Sequence, residues 1–305
     1  GVKVGTATVS GTTWTYADNG LVDGTTYSYI ARVADAAGNV GVSSGAYTIT
    51  VDTTAPSASN LVDITAISTD TGTSSTDFIT SDTTLTVSGT LTTALNVGEK
   101  VQISNDGGIT WIDAITTGTA WSLVDAVVHS SNFTYQARVI DAAGNIGSTD
   151  SQAIVIDTTP PTSVVDITAI STDTGISSTD FETSDTTLTV SGTLTSVLSA
   201  GEKVQVSSDG GITWVDAITT GTTWSLVDAV VHSSNFTYQA RVIDAAGNVG
   251  STDSQAIVID ITAPTQLVTI TNYTDDVGGI TGNFNSGSTT DDRTPVLNGT
   301  VNSTL

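Results

Sequence analysis

At 305 residues and 30.9 kDa the chain has length for about two domains, and its 31 Asp and Glu against 7 Lys and Arg give a formal charge of −24. That balance excludes nucleic-acid recognition through phosphate contacts and disfavours an anionic membrane surface. The lack of Cys removes disulfides, thiolate metal sites and Cys nucleophiles together. No apolar run reaches the roughly 20 residues of a bilayer span, and Gly1 is not followed by a charged and then apolar signal segment, so a secretion address is expected outside these residues.

Internal repetition overrides the estimate from length. Val51-Asp-Thr-Thr-Ala-Pro56 returns as Ile156-Asp-Thr-Thr-Pro-Pro161 and Ile259-Asp-Ile-Thr-Ala-Pro264, and Ser122–Asn145 is repeated letter for letter at Ser225–Asn248. The marks Asp52, Asp157 and Asp260 are 157−52=105 and 260−157=103 residues apart. We divide the chain into residues 1–52 (the back part of a unit), 53–157 and 158–260 (complete units) and 261–305 (the front part of a unit). Either part-unit alone is expected to be poorly stable until a neighbouring copy completes it.

Along the complete unit the apolar residues recur with period 2, which predicts an all-β chain. Strands are predicted near 60–68, 84–91, 99–104, 109–115, 119–125, 133–141 and 152–157. Phe133, Tyr135, Ala137 and Val139 share one strand face, and Thr134, Gln136 and Arg138 the other. Asn105-Asp106-Gly107-Gly108 and Ser208-Asp209-Gly210-Gly211 read as hairpin turns, with Gly supplying positive φ. Seven short strands in about 100 residues fit an immunoglobulin-like sandwich. Trp111, Trp121, Trp214 and Trp224 are read as fillers between its sheets.

The Val-Asp-Thr-Thr-Ala-Pro linkers, the Arg-Val-Ile-Asp-Ala-Ala-Gly-Asn segments at Arg138–Asn145 and Arg241–Asn248, and Thr69–Phe78 followed by Ser81–Thr90 resemble the bacterial immunoglobulin-like repeats that extend giant RTX-type and biofilm-associated surface adhesins. The likeness covers essentially the whole chain. It implies tandem seven-stranded β-sandwiches in an extended array, location on the bacterial cell surface after secretion, calcium at or near the junctions between domains, and no enzymatic activity. The glycine-rich nonapeptides of RTX tails are missing, and Gly278-Gly279 does not stand for them.

The charge points the same way. Residues 57–157 hold 11 acids against Lys100 and Arg138, and residues 158–260 hold 12 against Lys203 and Arg241. Nearly all available donors are oxygens, which suits a hard cation such as Ca2+ rather than zinc or copper. With the expected connectivity Asp52, Glu99 and Asp141 share one pole, as do Asp157, Glu202 and Asp244, with Asp260 opening the next unit. The first loop, at the opposite pole, carries Asp70, Asp77 and Asp82, then Asp173, Asp180 and Asp185, then Asp276 and Asp292. Carboxylates facing each other across a junction repel unless a divalent ion lies between them. For any single Asp a plain turn role stands beside ligation; for the set, ion binding is favoured, because the loops at both poles are acidic and compensating bases are few.

His129 and His232 are equivalent positions without a second nitrogen or sulfur donor, and read poorly as ligands or catalysts. Asn145 and Asn248 are assigned to the last turn, Glu182 replaces Ile79 of the preceding unit and belongs to no shared site, and the five sequons are chance in a Thr-rich chain. The expected function is a calcium-stiffened extender whose partners are the neighbouring repeats, and which meets a host or abiotic surface only through a module outside these residues. No insertion into a membrane is expected. The alternative class is ligand binding by the repeats themselves, with carbohydrate on Trp14, Trp121 or Trp224; ice on threonine ladders is disfavoured by the long period.

Overall fold

A computed structural model describes residue 2 and residues 4–303. Among the described residues every regular element is a strand. The first segment holds two separate ribbons, β1 (Thr8–Ser10) with β2 (Thr13–Thr15) and β3 (Thr26–Tyr29) with β4 (Tyr47–Thr50). The first complete repeat holds β5 (Val62–Ser68), β6 (Ile79–Thr80), β7 (Thr84–Leu91), β8 (Lys100–Ser104), β9 (Ile112–Asp113), β10 (Ile115–Thr117), β11 (Ala120–Val128), β12 (Phe133–Ile140) and β13 (Ile146–Ile156). The second repeats them as β14 (Val165–Ile170), β15 (Glu182–Thr183), β16 (Thr189–Leu194), β17 (Lys203–Ser207), β18 (Val215–Asp216), β19 (Ile218–Thr220), β20 (Thr223–Val227), β21 (Phe236–Ile243) and β22 (Val249–Ile259). The last segment is one sheet, ordered β24-β23-β25, of β23 (Val268–Asp275), β24 (Gly282–Phe284) and β25 (Val296–Val301).

In each complete repeat a four-stranded sheet (β10-β11-β7-β5, then β14-β16-β20-β19) packs on a five-stranded one (β6-β13-β12-β8-β9, then β15-β22-β21-β17-β18). This is the connectivity of an immunoglobulin-like sandwich. The alternation read from the sequence builds the core: Leu85 and Val87 of one sheet meet Val101, Ile103, Tyr135 and Val139 of the other, all at most 1 % exposed. Burying that apolar surface is the main drive for folding, at about 25 cal/mol per Å².

The structure departs from the predicted strands in three places. The strand predicted at 60–68 is β5, paired antiparallel with β7, but the loop after it holds an unpredicted strand, β6, which lies in the other sheet and pairs in parallel with β13, Val155 opposite Ile79. The loop between β5 and β6 is therefore anchored to both sheets. The strand expected over 109–115 is broken: only Ile112–Asp113 of β9 and Ile115, the first residue of β10, are strand, and these two pieces lie in different sheets, while β13 begins six residues before the expected start at 152. Trp111 and Trp214 are also not core fillers. Trp121 and Trp224 are buried at 2 % exposure, but Trp111 is half-buried on the outer face with the Arg138 guanidinium 3.9 Å from its ring centroid, and Arg241 lies 4.0 Å from Trp214. The turn before Trp111 sets this position: Asp106 accepts the backbone N–H of Ile109 and Thr110 at 3.0 Å and the Ser104 hydroxyl at 2.7 Å, which closes the turn on itself.

The edge strands β5 and β14 are tied across the sandwich. Val62 and Ile64 donate their N–H to Ser148 Oγ (3.0 Å) and Asp150 Oδ2 (2.8 Å) of β13, and Val165 and Ile167 donate to Ser251 and Asp253 at 2.8 Å.

Candidate inter-repeat junction

Three segments meet at the leading pole of each repeat. The linker proline is buried against the start of the last strand: a Cβ on Gly147 would lie 2.8 Å from Pro56 Cβ, and one on Gly250 would lie 2.5 Å from Pro161 O. The Asp-Ala-Ala-Gly-Asn hairpin reaches the same linker through its Asn, Asn145 Nδ2 donating to Asp52 O at 3.1 Å and Asn248 Nδ2 to Asp157 O at 2.8 Å. The turn before the third long strand joins them, since Cβ atoms on Gly98 and Gly201 would touch Ala142 Cβ and Ala245 Cβ at 3.7 and 3.3 Å. Positive φ in the hairpin belongs to Gly144 and Gly247, so Asn145 and Asn248 serve as ties to the linker and not as left-handed turn residues.

At the trailing pole the loop between β5 and β6 reaches the next repeat. Thr71 Oγ1 donates to Ala246 O at 2.6 Å, and Thr73 N donates to Ala245 O at 3.2 Å. Gly72, at φ +103°, leaves the space between them: its Cβ would lie 1.9 Å from Ala245 O. The contact buries the receiving hairpin. Asp244 and Ala246 are 7 % and 1 % exposed, whereas Asp141 and Ala143 in the preceding repeat are half-buried and exposed.

The acids picked out in the sequence nearly all answer to backbone donors of their own loops. Asp52, Asp77, Asp157, Asp180 and Asp260 accept the N–H two residues on, at 2.8–3.2 Å. Asp82, Asp185 and Asp292 do the same at 2.7–3.0 Å, with Thr84, Thr187 and Thr294. Glu99 and Glu202 reach back to Asn96 N and Ser199 N at 2.8 Å, and Asp141 and Asp244 hold Asn145 N and Asn248 N at 2.8 and 2.9 Å. Such bonds hold Asp82 below the ordinary carboxyl range through the Thr84 N–H, against the opposing effect of burial, and hold Asp141 low chiefly through the Asn145 side chain. The first-loop residue Asp276 is exposed.

Asp70 and Asp173 stand apart. Each accepts one N–H at 3.1 Å, from Phe78 and Phe181, while its Oδ1 is buried without a hydrogen-bond partner, as is Asp292 Oδ2. Burial, and next the charge of Asp77, push the Asp70 carboxyl upward against the Phe78 N–H. Unsatisfied carboxylate oxygens among oxygen-only donors suit a hard cation in chemistry. The geometry is less complete: among the described residues no three His, Asp or Glu side chains gather into a ligand set. The poles bring the loops together, but most of these carboxylates turn into their own loops, where a backbone N–H two to four residues away costs little extra ordering.

The histidines belong to a buried polar cluster that sequence reasoning missed. Asp125 accepts the Tyr135 hydroxyl at 2.7 Å, the Val127 N–H at 2.9 Å and the Asn105 amide at 2.8 Å, and pairs with His129 Nε2 at 2.9 Å. His129 stacks on Phe133 with ring centroids 3.7 Å apart. Burial opposes the Asp125 charge, yet the hydrogen bonds from Asn105, His129 and Tyr135 prevail and lower its pKa. The second repeat has Asp228, His232 and Tyr238 in the same arrangement. The signal available in the sequence was the Asp, His and Tyr at i, i+4 and i+10 of both repeats.

The Bacterial Ig-like domain model (Big_13) matches residues 57–158 and 159–261. No curated protein matches the chain. Among solved structures it is similar to fibronectin(III)-like modules of Clostridium thermocellum CbhA (TM-score 0.41, 15% identity, 66% of this chain and 94% of that one). It is also similar to part of a 1.5-MDa bacterial ice-binding adhesin (TM-score 0.31, 19% identity, 70% and 69%) and to a biofilm-associated protein BSP domain (TM-score 0.20, 18% identity, 61% and 29%). These likenesses concern the fold alone, and none singles out the RTX type. With two adjoining matches that span most of its length, the chain belongs to the bacterial Ig-like domain family.

Proposed function

We propose that the chain is a stretch of the extender of a secreted bacterial surface adhesin, a series of sandwiches that holds a terminal binding module away from the cell, and that calcium stiffens the junctions. The observation that carries this reading is the arrangement of two complete repeats end to end, the trailing loop of one against the leading hairpin of the next through Thr71 and Ala246. The buried Asp125 carboxylate is taken up by His129, Tyr135, Asn105 and Val127, which favours a structural role for this cluster over a catalytic one. The calcium clause is supported by the buried, partnerless oxygens of Asp70, Asp173 and Asp292 and by a charge of −24 that calls for counterions. An ion that binds only the folded form adds stability as RT ln(1+[L]/Kd).

The test is small-angle scattering and thermal melting of the same chain in millimolar Ca2+ and in chelator. The extender reading expects a rod-like scattering profile, and the calcium clause expects a higher melting midpoint and a longer maximum dimension with the ion present. A compact profile in both buffers would overturn the extender reading. Equal midpoints and equal dimensions would overturn the calcium clause. Carbohydrate binding by the repeats loses support at Trp121 and Trp224, whose rings are buried.

A further inference from the structure

We propose that the Asp-Thr-Gly loop and the Asp-Ala-Ala-Gly-Asn hairpin are a socket and a plug, which lock successive repeats in one orientation through protein atoms, and that Thr174-Gly175 is the same socket presented to the hairpin of a further repeat. This inference does not depend on the calcium clause.

The socket is formed before anything docks. Thr71 Oγ1 accepts the Ser81 N–H at 2.7 Å, which leaves its proton free to go outward to Ala246 O. In the second repeat Thr174 Oγ1 accepts Ser184 N at the same 2.7 Å, and Gly175 has φ +111° beside +103° for Gly72. The difference is occupancy: a Cβ on Gly72 would strike Ala245 O and the backbone of Ala246, whereas a Cβ on Gly175 would meet nothing within 4 Å. The fit is reciprocal, since a Cβ on Gly247 would lie 2.8 Å from Gly72 Cα.

The plug is likewise set by its own residues. Asp141 Oδ1 accepts the N–H groups of Ala143, Gly144 and Asn145 at 2.8–2.9 Å. Asp35 accepts Asn39 N at 2.7 Å in the first segment, where Gly38 has φ +89°, identical to Gly247. The plug sequence occurs three times, at 35–39, 141–145 and 244–248. Surfaces that need no rearrangement lose little entropy on contact, and tethering by a short linker keeps their effective concentration high. In the last segment the corresponding loop is Asp276-Val277-Gly278, which keeps the glycine and gives up the hydroxyl. A repeat docked there is held by one hydrogen bond fewer.

The experiment uses the absence of native Cys. Cysteines at Ile109 and Ile212, both 83% exposed and equivalent in the two repeats, carry spin labels for distance measurement by electron-electron dipolar spectroscopy. The parent protein is expected to give one narrow distance distribution. Gly72→Val should at least double its width, and Thr71→Val should broaden it less. Gly175→Val places the same strained residue in the same loop of the next repeat, and should leave the width unchanged; it controls for folding cost. The pattern is expected in Ca2+ and in chelator alike. A Gly72→Val distribution as narrow as the parent's, or equal broadening by Gly175→Val, would overturn the proposal. A parent that broadens only on chelation, with no effect of Gly72→Val in Ca2+, would overturn it too while sustaining the calcium clause.

Discussion

Replacing Asp125 by Ala tests whether the buried cluster is a pillar of the fold. In the native protein its carboxylate serves Tyr135, which is fully buried, and His129, 9 % exposed, besides Asn105 and Val127. Asn105 and Val127 reach solvent and can turn to water, so the variant strands two buried donors. At about 1–3 kcal/mol for each stranded group the cost is about 2–6 kcal/mol. Tyr135→Phe removes a single donor and leaves the carboxylate with three others, for about 1 kcal/mol. For a unit of about 100 residues, 1 kcal/mol moves Tm by about 4–8 °C. Scanning calorimetry on Asp125→Ala should therefore split the melt of the two near-identical repeats into separate transitions, the lower displaced by about 8 °C or more, while Tyr135→Phe shifts it by about half that or less. Equal shifts for the two variants, or an unsplit transition within about 2 °C of the parent, would refute the reasoning.

The two tryptophans of a repeat should respond unequally. Trp121→Ala empties a core site and is expected to cost about 3–5 kcal/mol in urea unfolding, whereas Trp111→Ala loses a half-buried cation–π contact with Arg138 and should cost about 1–2 kcal/mol. Acid should act through Asp106 and Asp209, whose carboxyls are drawn down to about 2, first by the hydroxyls of Thr110 and Thr213. A carboxyl lowered in the folded state contributes stability above its unfolded value near 3.9 and loses it as pH falls toward about 2. Melting midpoints should fall across that window, and Asp106→Asn combined with Asp209→Asn should flatten the fall.

The β-sandwich was legible because its signals are local and repeated. Alternation at Leu85 and Val87, or at Tyr135, Ala137 and Val139, follows from strand geometry, and the fixed period marks the unit. Trp111 misled because residue type suggests burial, whereas Asp106 closes the preceding turn and Arg138 covers the ring, and neither effect shows in composition. The strand β6 was hidden for a similar reason: pairing of Ile79 with Val155 joins residues 76 positions apart in sequence, 155−79=76. At the junction the shared poles followed from topology, but carboxylate direction is settled by whichever N–H lies nearest, two residues away in most of these loops. The contact of Thr71 with Ala246 crosses 175 residues and has no counterpart in any local pattern.

The stitches from β13 to β5 have a consequence for an array whose neighbours are almost copies of one another. Consecutive units with the same alternation invite strand exchange while they fold, because an open margin in one fits the other equally well. Ser148 and Asp150 occupy the free amides of that margin with hydroxyl and carboxylate oxygens drawn from the same unit, and Ser251 and Asp253 do so next door. Each module thus seals itself, and sequence likeness between adjacent modules is tolerated without tangling.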